Sequence, residues 1–435
     1  MHENTKANVF DVYLLKNTCE QRINYYVGRN FKENAFSEQF KADNRYSLLK
    51  NALGTGGSRS GITTVGRISR RRDKMDNKVY LLLENGDVFE GKSFGAQGRA
   101  SGEAVFTTGM TGYLETLTDP SYCGQMVVQT FPLIGNYGDI PQDYESEKVW
   151  PSAYIVRDFA DVPSNFRCQG TLDAMLKAHG VVGMYDLDTR RLTKTLRESG
   201  TMNAVILPAL TNIPEEIEKL HQMKNERPVL KVTCSEPIYW NGNEGGKRVV
   251  VWDFGVKKSM IDKLHTRGVN TVRVPATYSC EQVLALNPDG VLLSNGPGDP
   301  ADNPDIIAEV GKLFESGVPI MGICLGHQLL ALSQGAKSTR LLYGHRGANQ
   351  PAMDLKTGRA YMTSQNHGYA IVTSTLPRHA KLLFVNLNDD SCEGVDYPWH
   401  NAFSVQFHPE ASSGPLDTGY LFDRFIDMMG GARNA

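Results

Sequence analysis

The chain has 435 residues, of which 40% are hydrophobic and 22% charged, and its formal net charge is −2. This length allows two domains, and the composition is that of an ordinary globular protein with a core of normal size. A net charge near zero indicates neither nucleic acid nor a membrane surface as a partner. No apolar run approaches the roughly 18–20 residues that a membrane-spanning helix needs.

The seven cysteines are scattered along the chain, odd in number and without a C-x-x-C pair. This usage is typical of free thiols in a reducing compartment rather than of a disulfide framework, so we expect a cytoplasmic protein. The chain also lacks a cluster of Cys and His with the spacing of a zinc site, and we expect no metal to bind to it.

Residues 1–74 differ in charge from the rest, because they hold fourteen Lys and Arg against seven Asp and Glu. The segment 54–74 is basic and rich in Gly and Ser, which predicts flexibility. A targeting peptide is one alternative, although the acidic residues spread through the segment argue against it. A basic tail that touches RNA is another, but charge runs are usually solvated. We expect a flexible N-terminal extension with no fold of its own.

Residues 75–227 are predicted to form an N-terminal domain of mixed β and α structure. The string VYLLLENGDVFEG, which starts at Val79, has the strand, Asn-Gly turn and strand of a β-hairpin. The other predicted elements are strands at 102–108 and 125–131, a loop at 109–122, and helices at 171–178 and 188–199. Prolines and the string NGNEGG predict a linker over residues 228–246.

Residues 247–435 are predicted to form a second, α/β domain. The strands KRVVVWD, VNTVRVP, DGVLLSN and VPIMGI alternate with segments of helical length. This alternation predicts a doubly wound, mainly parallel sheet. Right-handed crossovers in such a sheet place active residues at the carboxyl ends of the strands.

Cys324 follows the last of these strands, with Gly322 two residues before it and Gly326 two residues after it. The pattern G-x-C-x-G, placed between an apolar strand and an amphipathic segment, predicts a sharp turn that exposes a nucleophile. The N-terminus of the following helix would favour a thiolate and a developing oxyanion. A buried structural cysteine is the alternative interpretation.

A second motif, FSVQFHPE at 403–410, ends a strand-like run with His408 and Glu410. On an extended backbone these two residues face the same way, so the carboxylate can orient the imidazole. A thiol on a tight turn together with His-x-Glu predicts a cysteine nucleophile, a general base and an orienting acid.

These motifs carry a resemblance to a known family. GICLGHQLLAL and FHPEAS resemble the class I glutamine amidotransferases. LSNGPGDP (293–300), YGHRGANQP (343–351), TSQNHGYA (363–370) and the block 102–138 resemble the small chain of carbamoyl-phosphate synthase. The resemblance covers about residues 78–430. Small chains of this family typically begin as the string at Met75 does, so residues 1–74 would be an upstream extension or a mis-assigned start.

The resemblance implies that the chain hydrolyses L-glutamine through a γ-glutamyl thioester on Cys324, with His408 as the base and Glu410 as its orienting partner. The ammonia would pass to a large synthetase subunit that makes carbamoyl phosphate from hydrogencarbonate and two ATP, for arginine or pyrimidine biosynthesis or both. This chain has no G-x-x-x-x-G-K-[ST] motif, so ATP and Mg²⁺ are expected on the partner and no cofactor on this chain.

Glutamine contacts are expected from backbone N–H groups and from side chains of both domains. The N–H of Leu325 and the glycine loop at 293–300 would hold the oxyanion. The full set expected to bind L-glutamine is Ser121, Gly296, Gly298, Leu325, Gln328, Asn366, Gly368 and Tyr369. His327 and His367 lie beside these motifs and are interpreted as structural histidines.

Two positions depart from the family pattern: Asp186 stands where a glycine is usual, and Tyr369 stands where Phe is frequent. The first makes the local turn uncertain, and the second retains an aromatic surface. Two other functions remain open from the sequence: a regulatory subunit whose glutaminase is silent, and an amidotransferase subunit of another synthase.

Overall fold

The computed structural model describes residues 77–430, all of which belong to one compact unit. The prediction for residues 1–74 lies outside the described residues. Among the helices of residues 77–430, none combines the length and the apolarity that a bilayer span requires.

The N-terminal part, here called the barrel domain (residues 78–222), is built on a closed seven-stranded barrel in the order β1-β2-β8-β6-β4-β3-β9. The short strands β5 and β7 pair with each other outside it. The strands are β1 (Lys78–Leu83), β2 (Val88–Gly95), β3 (Ala100–Thr107), β4 (Gln125–Gln129), β5 (Leu133–Ile134), β6 (Ala153–Ile155), β7 (Asp158–Phe159), β8 (Val182–Tyr185) and β9 (Met202–Leu207). The helices are α1 (Tyr113–Thr118), α2 (Leu172–Ala178), α3 (Thr189–Ser199) and α4 (Ile213–Gln222).

The predicted hairpin is confirmed, because β1 and β2 pair antiparallel across the Asn-Gly turn. The predicted helices are confirmed as α2 and α3, whose N-termini are capped by the side chains of Thr171 and Asp188. The loop prediction for 109–122 is wrong in part, since α1 and a 3-10 turn at Pro120–Tyr122 lie within it. The segment's many Thr, Gly and Asp residues indicated a loop. It nevertheless has three apolar residues at helical spacing whose side chains are buried: Tyr113, Leu114 and Leu117.

The unusual Asp186 occupies a turn with left-handed backbone, at φ 62°. Glycine adopts this conformation without strain, and Asp and Asn tolerate it better than most other residues. The Asp186 carboxylate also accepts a hydrogen bond from Lys92 Nζ at 2.7 Å. The turn is therefore formed with aspartate in place of the family's glycine.

The C-terminal part, here called the sheet domain (residues 229–430), contains a ten-stranded sheet in the order β10-β12-β11-β13-β14-β19-β18-β17-β15-β16. Its strands are β10 (Ile238–Trp240), β11 (Arg248–Asp253), β12 (Asn270–Pro275), β13 (Gly290–Leu293), β14 (Ile320–Ile323), β15 (Ser338–Asp354), β16 (Ala360–Ile371), β17 (Lys381–Asn386), β18 (Cys392–Tyr397) and β19 (Ala402–Val405). Its helices are α5 (Val229–Val232), α6 (Lys258–His265), α7 (Cys280–Leu284), α8 (Pro304–Glu315), α9 (Leu325–Ser333) and α10 (Tyr420–Gly430).

The α/β class and the doubly wound parallel core are confirmed, since β12, β11, β13, β14 and β19 pair in parallel. Apolar layers cover both faces of this core: Val250 and Trp252 of β11 lie in one, and Val249 and Val251 lie in the other. The sheet as a whole is mixed, because the other five strands pair antiparallel. The sequence did not indicate β15 and β16, whose Gly, Pro and polar residues are untypical of long strands.

The segment 228–246, predicted as a linker, contains ordered structure that packs on the sheet domain. Val229 of α5 is fully buried in the same apolar cluster as Trp252. Strand β10 extends the sheet by pairing antiparallel with β12. The prolines and glycines of this segment lie at the ends of short ordered elements. Such residues can therefore terminate a helix or strand as well as indicate a linker.

Candidate active site

Cys324 lies on a sharp turn between β14 and α9, with φ 53° and ψ −105°. This conformation costs a non-glycine residue on the order of 1–3 kcal/mol and persists only where the surroundings hold it. Two backbone hydrogen bonds do so: Cys324 N–H donates to Val405 O and Gly326 N–H donates to Ser294 O, both at 2.9 Å. The neighbouring parallel strands β13 and β19 therefore fix the turn.

The two glycines of G-x-C-x-G are required for close packing rather than for a left-handed backbone. A Cβ at Gly322 would lie 2.9 Å from the carbonyl carbon of Gly326. A Cβ at Gly326 would lie only 2.2 Å from Leu293 O. Both contacts are too short, so the glycines allow α9 to begin directly against β13 and β14.

His408 follows β19 and is held from both sides. Its backbone N–H donates to Ser364 O at 2.9 Å, and its ring Nδ1 lies 2.7 Å from Glu410 Oε1. Burial and the nearby Lys257 lower the pKa of His408, but the Glu410 carboxylate and the adjacent Cys324 thiol outweigh them and raise it to about 10. Thiol, imidazole and carboxylate are thus brought together in the predicted order. The Cys324 thiol donates to Asn366 O at 3.6 Å, and the raised pKa of His408 favours transfer of the thiol proton to the ring.

Lys257 is a fourth member of this array that the sequence analysis missed. Its Nζ lies 2.6 Å from Glu410 Oε1, and only 8% of the residue is exposed. Burial raises the pKa of Glu410, but Lys257 and His408 outweigh it and lower the pKa to about 2. Lys257 follows the carboxyl end of β11, and that position in a parallel sheet was the available signal.

A cavity of about 540 Å³ opens in front of Cys324, between the two domains. Leu325 does not line this cavity; it is buried, with its side chain against Gly296. Its N–H, at the start of α9, is the group predicted for the oxyanion. The cavity is lined by the other residues predicted to bind glutamine, namely Ser121, Gly296, Gly298, Gln328, Asn366, Gly368 and Tyr369.

The barrel domain contributes to the site through the 3-10 turn at Pro120–Tyr122. Asp119 accepts hydrogen bonds from Ser121 N–H at 2.9 Å and from Asn366 Nδ2 at 3.0 Å. Asn295 Nδ2, at the carboxyl end of β13, donates to Ser121 Oγ at 2.9 Å. Asp119 and Asn295 were not predicted, because only the docking of the two domains gives them these partners.

Gln328 lies on the first turn of α9 and is buried. Its Nε2 donates to Tyr369 O at 2.7 Å and to Gln406 Oε1 at 2.9 Å. These bonds use both amide protons, so Oε1 is the polar atom left for a substrate. His327, one residue earlier, faces Ser404 Oγ at 2.8 Å, and burial lowers its pKa to about 3. These contacts fit a structural role for His327.

His367 belongs to a buried polar cluster with His345 and Glu393, whose ligand-type atoms all lie within 4.8 Å of one another. Both ring nitrogens of His367 already have partners, Tyr369 O at 2.8 Å and Gln365 Oε1 at 2.9 Å. His345 Nε2 pairs with Asp389 Oδ2 at 2.9 Å. The contacts are those of a hydrogen-bonded network that reaches the glutamine pocket through His367, which lines it.

The fold and this site define a class I glutamine amidotransferase, and the family model for glutamine amidotransferase class-I matches residues 250–428. The model for the carbamoyl-phosphate synthase small chain, CPSase domain, matches residues 81–206. Together with curated relatives that are 44–47% identical over about four fifths of this chain, these matches show that the chain belongs to the carbamoyl-phosphate synthase small chain family, the glutamine-hydrolysing subunit of that enzyme. An amidotransferase subunit of another synthase, one of the two alternatives left by the sequence, is thereby excluded.

Curated relatives named carbamoyl phosphate synthase small chain align with this chain over nearly their whole length. The carbamoyl phosphate synthase small chain of Oceanobacillus iheyensis is 47% identical over 354 residues, covering 81% of this chain and 96% of that protein. The small chain of Clostridium perfringens is 46% identical, covering 80% of this chain and 99% of that protein. The small chain of Neisseria meningitidis is 45% identical, covering 83% of this chain and 100% of that protein.

Solved structures match part of the chain more distantly. A glutamine amidotransferase from Thermotoga maritima is 20% identical with a TM-score of 0.31, covering 42% of this chain and 84% of that one. A glutamine amido transferase from Methylobacillus flagellatus is 17% identical with a TM-score of 0.29, covering 38% and 70%.

Proposed function

We propose that this chain hydrolyses L-glutamine at Cys324, His408 and Glu410 and delivers the ammonia to a large synthetase subunit. The observation that carries the proposal is the fixed imidazole of His408, held by Glu410 at 2.7 Å and adjacent to the Cys324 thiol. This array faces a cavity of about 540 Å³, large enough for an amino acid.

Hydrolysis of a carboxamide requires an activated nucleophile and a protonated leaving group. His408 takes the thiol proton as Cys324 attacks the γ-carbonyl carbon, and the proton then passes to the departing ammonia. The product of this step is a γ-glutamyl thioester, which water attacks with His408 again acting as base. Glu410 keeps the ring oriented and stabilises its positive form.

The oxyanion formed in each step needs donors that are already in place. We assign this role to the backbone N–H of Leu325 at the start of α9 and to the loop at Gly296. A Cβ at Gly296 would lie 2.2 Å from Phe254 O and 2.8 Å from the Leu325 side chain, so only glycine lets this loop lie so close to the end of β11 and to the start of α9. Loss of one oxyanion donor costs about 3 kcal/mol in comparable enzymes.

A second cavity, of about 60 Å³, shares Asn366 with the glutamine pocket and is also lined by His408 and by Gly109 and Thr111 of the barrel domain. Its size suits a molecule such as water or ammonia. It supports transfer of ammonia through the barrel domain to the large subunit. ATP and Mg²⁺ are assigned to that subunit, where hydrogencarbonate and ammonia form carbamoyl phosphate for arginine or pyrimidine biosynthesis.

The test uses the complex of this chain with its large subunit. Cys324→Ser is expected to abolish glutamine-dependent carbamoyl phosphate synthesis and to leave synthesis from ammonium salts intact, because only the first requires the thiol. A glutamine-analogue electrophile should label the wild-type chain at Cys324. Equal loss of both activities, or no labelling, would contradict the proposal, and no labelling would favour a glutaminase-silent regulatory subunit.

A further inference from the structure

Two segments of the sheet domain that support the catalytic array converge on one side chain of the barrel domain, Glu145. Glu145 follows the 3-10 turn Pro141–Asp143 and is 3% exposed. Its Oε2 accepts from Ser259 N–H at 3.0 Å, and its Oε1 accepts from Ser259 Oγ at 3.0 Å and from Ser412 Oγ. One carboxylate thus holds the beginning of α6 and the chain just beyond Glu410.

The first of these segments carries Lys257, the residue immediately before α6. Glu145 contacts this helix N-terminus through its side chain at Ser259 and through its carbonyl oxygen, which accepts from Lys258 N–H at 2.8 Å. A carboxylate is favoured at a helix N-terminus by the unpaired N–H groups and by the helix dipole. The contact fixes the backbone from which Lys257 reaches Glu410.

The second segment is the turn after Glu410. Ala411 has φ 28°, a left-handed conformation that a residue with a Cβ adopts only under constraint. Ser412 is the next residue, and its hydroxyl donates to Glu145. The hydrogen bond therefore restrains a strained turn that sets the direction of the Glu410 side chain.

We propose that Glu145 is a positioning residue for glutamine hydrolysis, supplied by the barrel domain to hold Lys257 and Glu410 where they orient His408. The inference rests on the proposed function, because it assumes that His408 acts on Cys324. It goes beyond that function by making the glutaminase depend on a side chain of the domain that does not contain the nucleophile. A general role in domain docking is the competing explanation.

The experiment compares Glu145→Ala and Glu145→Gln in the complex with the large subunit. Glu145→Ala should lower kcat for glutamine hydrolysis, measured as glutamate release, by about 10- to 100-fold, with KM for glutamine changed less than about twofold, since small misplacements of catalytic groups cost this much. Synthesis from ammonium salts should be unchanged. Glu145→Gln should recover part of the rate, because an amide oxygen can still accept from the hydroxyls of Ser259 and Ser412.

The matched control is Glu147→Gln, a change of an exposed acidic residue on the same segment, which should leave both activities unchanged. Ser412→Ala should also lower kcat, and the double variant with Glu145→Ala should be little worse than Glu145→Ala alone. Equal loss of glutamine and ammonium activities, an unchanged kcat, or a KM effect without a kcat effect would overturn the inference. If Glu145→Ala does not fold, Glu145→Gln and Ser412→Ala decide the matter by the same kcat and KM comparison.

The proposed function is tested separately by Cys324→Ser. If that variant still hydrolyses glutamine, the proposed function fails. If it does not, and Glu145→Ala behaves as wild type, the inference on Glu145 alone fails.

Discussion

At the scale of single residues, the site is a chain of buried charges that ends on a thiol. Lys257 contacts Glu410 at 2.6 Å and Glu410 contacts His408 at 2.7 Å. A buried carboxylate between two cations remains ionised because each cation stabilises its negative charge. The positive charge of Lys257 also opposes protonation of His408 and so limits how far Glu410 raises the pKa of the ring.

Lys257→Met tests this arrangement. Without the cation the pKa values of both Glu410 and His408 should rise, because Lys257 lowers both in the wild type. A thiolate at Cys324, which is the form that is alkylated, would also lose the attraction of this positive charge and would form only at higher pH. The pH profile of Cys324 alkylation should move to the alkaline side by about 1–3 pH units, the usual effect of one close charge.

Lys258→Met is the matched control, since its side chain is 58% exposed and pairs with Asp262 on the surface. It should leave the alkylation profile unchanged. Breaking the buried pair should also destabilise the Lys257→Met variant by about 3–5 kcal/mol, measurable by denaturant unfolding. A profile that stays in place, or moves to lower pH, would refute this account.

At the scale of elements, the nucleophile is presented by the way in which α9 starts against β13 and β14. Gly326 allows the approach, because a Cβ there would meet Leu293 O at 2.2 Å. The strained backbone of Cys324 persists only while this packing and the bond to Val405 O hold it. Small changes in packing where α9 meets β13 and β14 should therefore move the Cys324 sulfur.

We expect Gly326→Ala to move the start of α9 away from β13 and to misplace Cys324. Glutamine-dependent synthesis should fall at least about 100-fold, while synthesis from ammonium salts by the complex is retained. Gly311→Ala is the matched control: it lies within α8, where a Cβ meets Ser333 at an ordinary 3.8 Å. That change should preserve activity and add up to about 1 kcal/mol of stability. Wild-type turnover in Gly326→Ala would show that the close packing is unnecessary.

At the scale of the whole molecule, the glutamine pocket exists only because the two domains meet. Asp119 of the barrel domain accepts from Asn366 Nδ2 of the sheet domain, and Ser121 accepts from Asn295 Nδ2. At the rim of the cavity, Glu103 of β3 pairs with Arg340 of β15. Substrate binding is therefore sensitive to how the domains are docked.

Asp119→Asn should raise KM for glutamine about tenfold, because an amide group in place of the carboxylate leaves at least one of the donors to Asp119 without an equivalent acceptor. Loss of one such buried hydrogen bond costs on the order of 1–1.5 kcal/mol, which corresponds to this factor. Steady-state kinetics of the complex with glutamine and with ammonium salts measure the effect, which should be absent with ammonium. Asp302→Asn, an exposed residue at the cavity rim, is the control. A change in kcat alone would argue against a role in binding.

The sequence by itself determined the elements whose signals are local. The alternating strands and helices, the G-x-C-x-G turn and His-x-Glu each depend on neighbours in the chain, and they indicated the parallel core, Cys324 and the pair His408–Glu410. The tertiary structure decided what depends on contacts between distant segments. Asp119 and Glu145 have no sequence pattern of their own, and only its position after β11 pointed to Lys257. A single buried charge gains a role only from partners that the fold brings within hydrogen-bonding distance. The antiparallel half of the sheet was missed for the same reason, since β15 and β16 stabilise each other by pairing rather than by an apolar pattern.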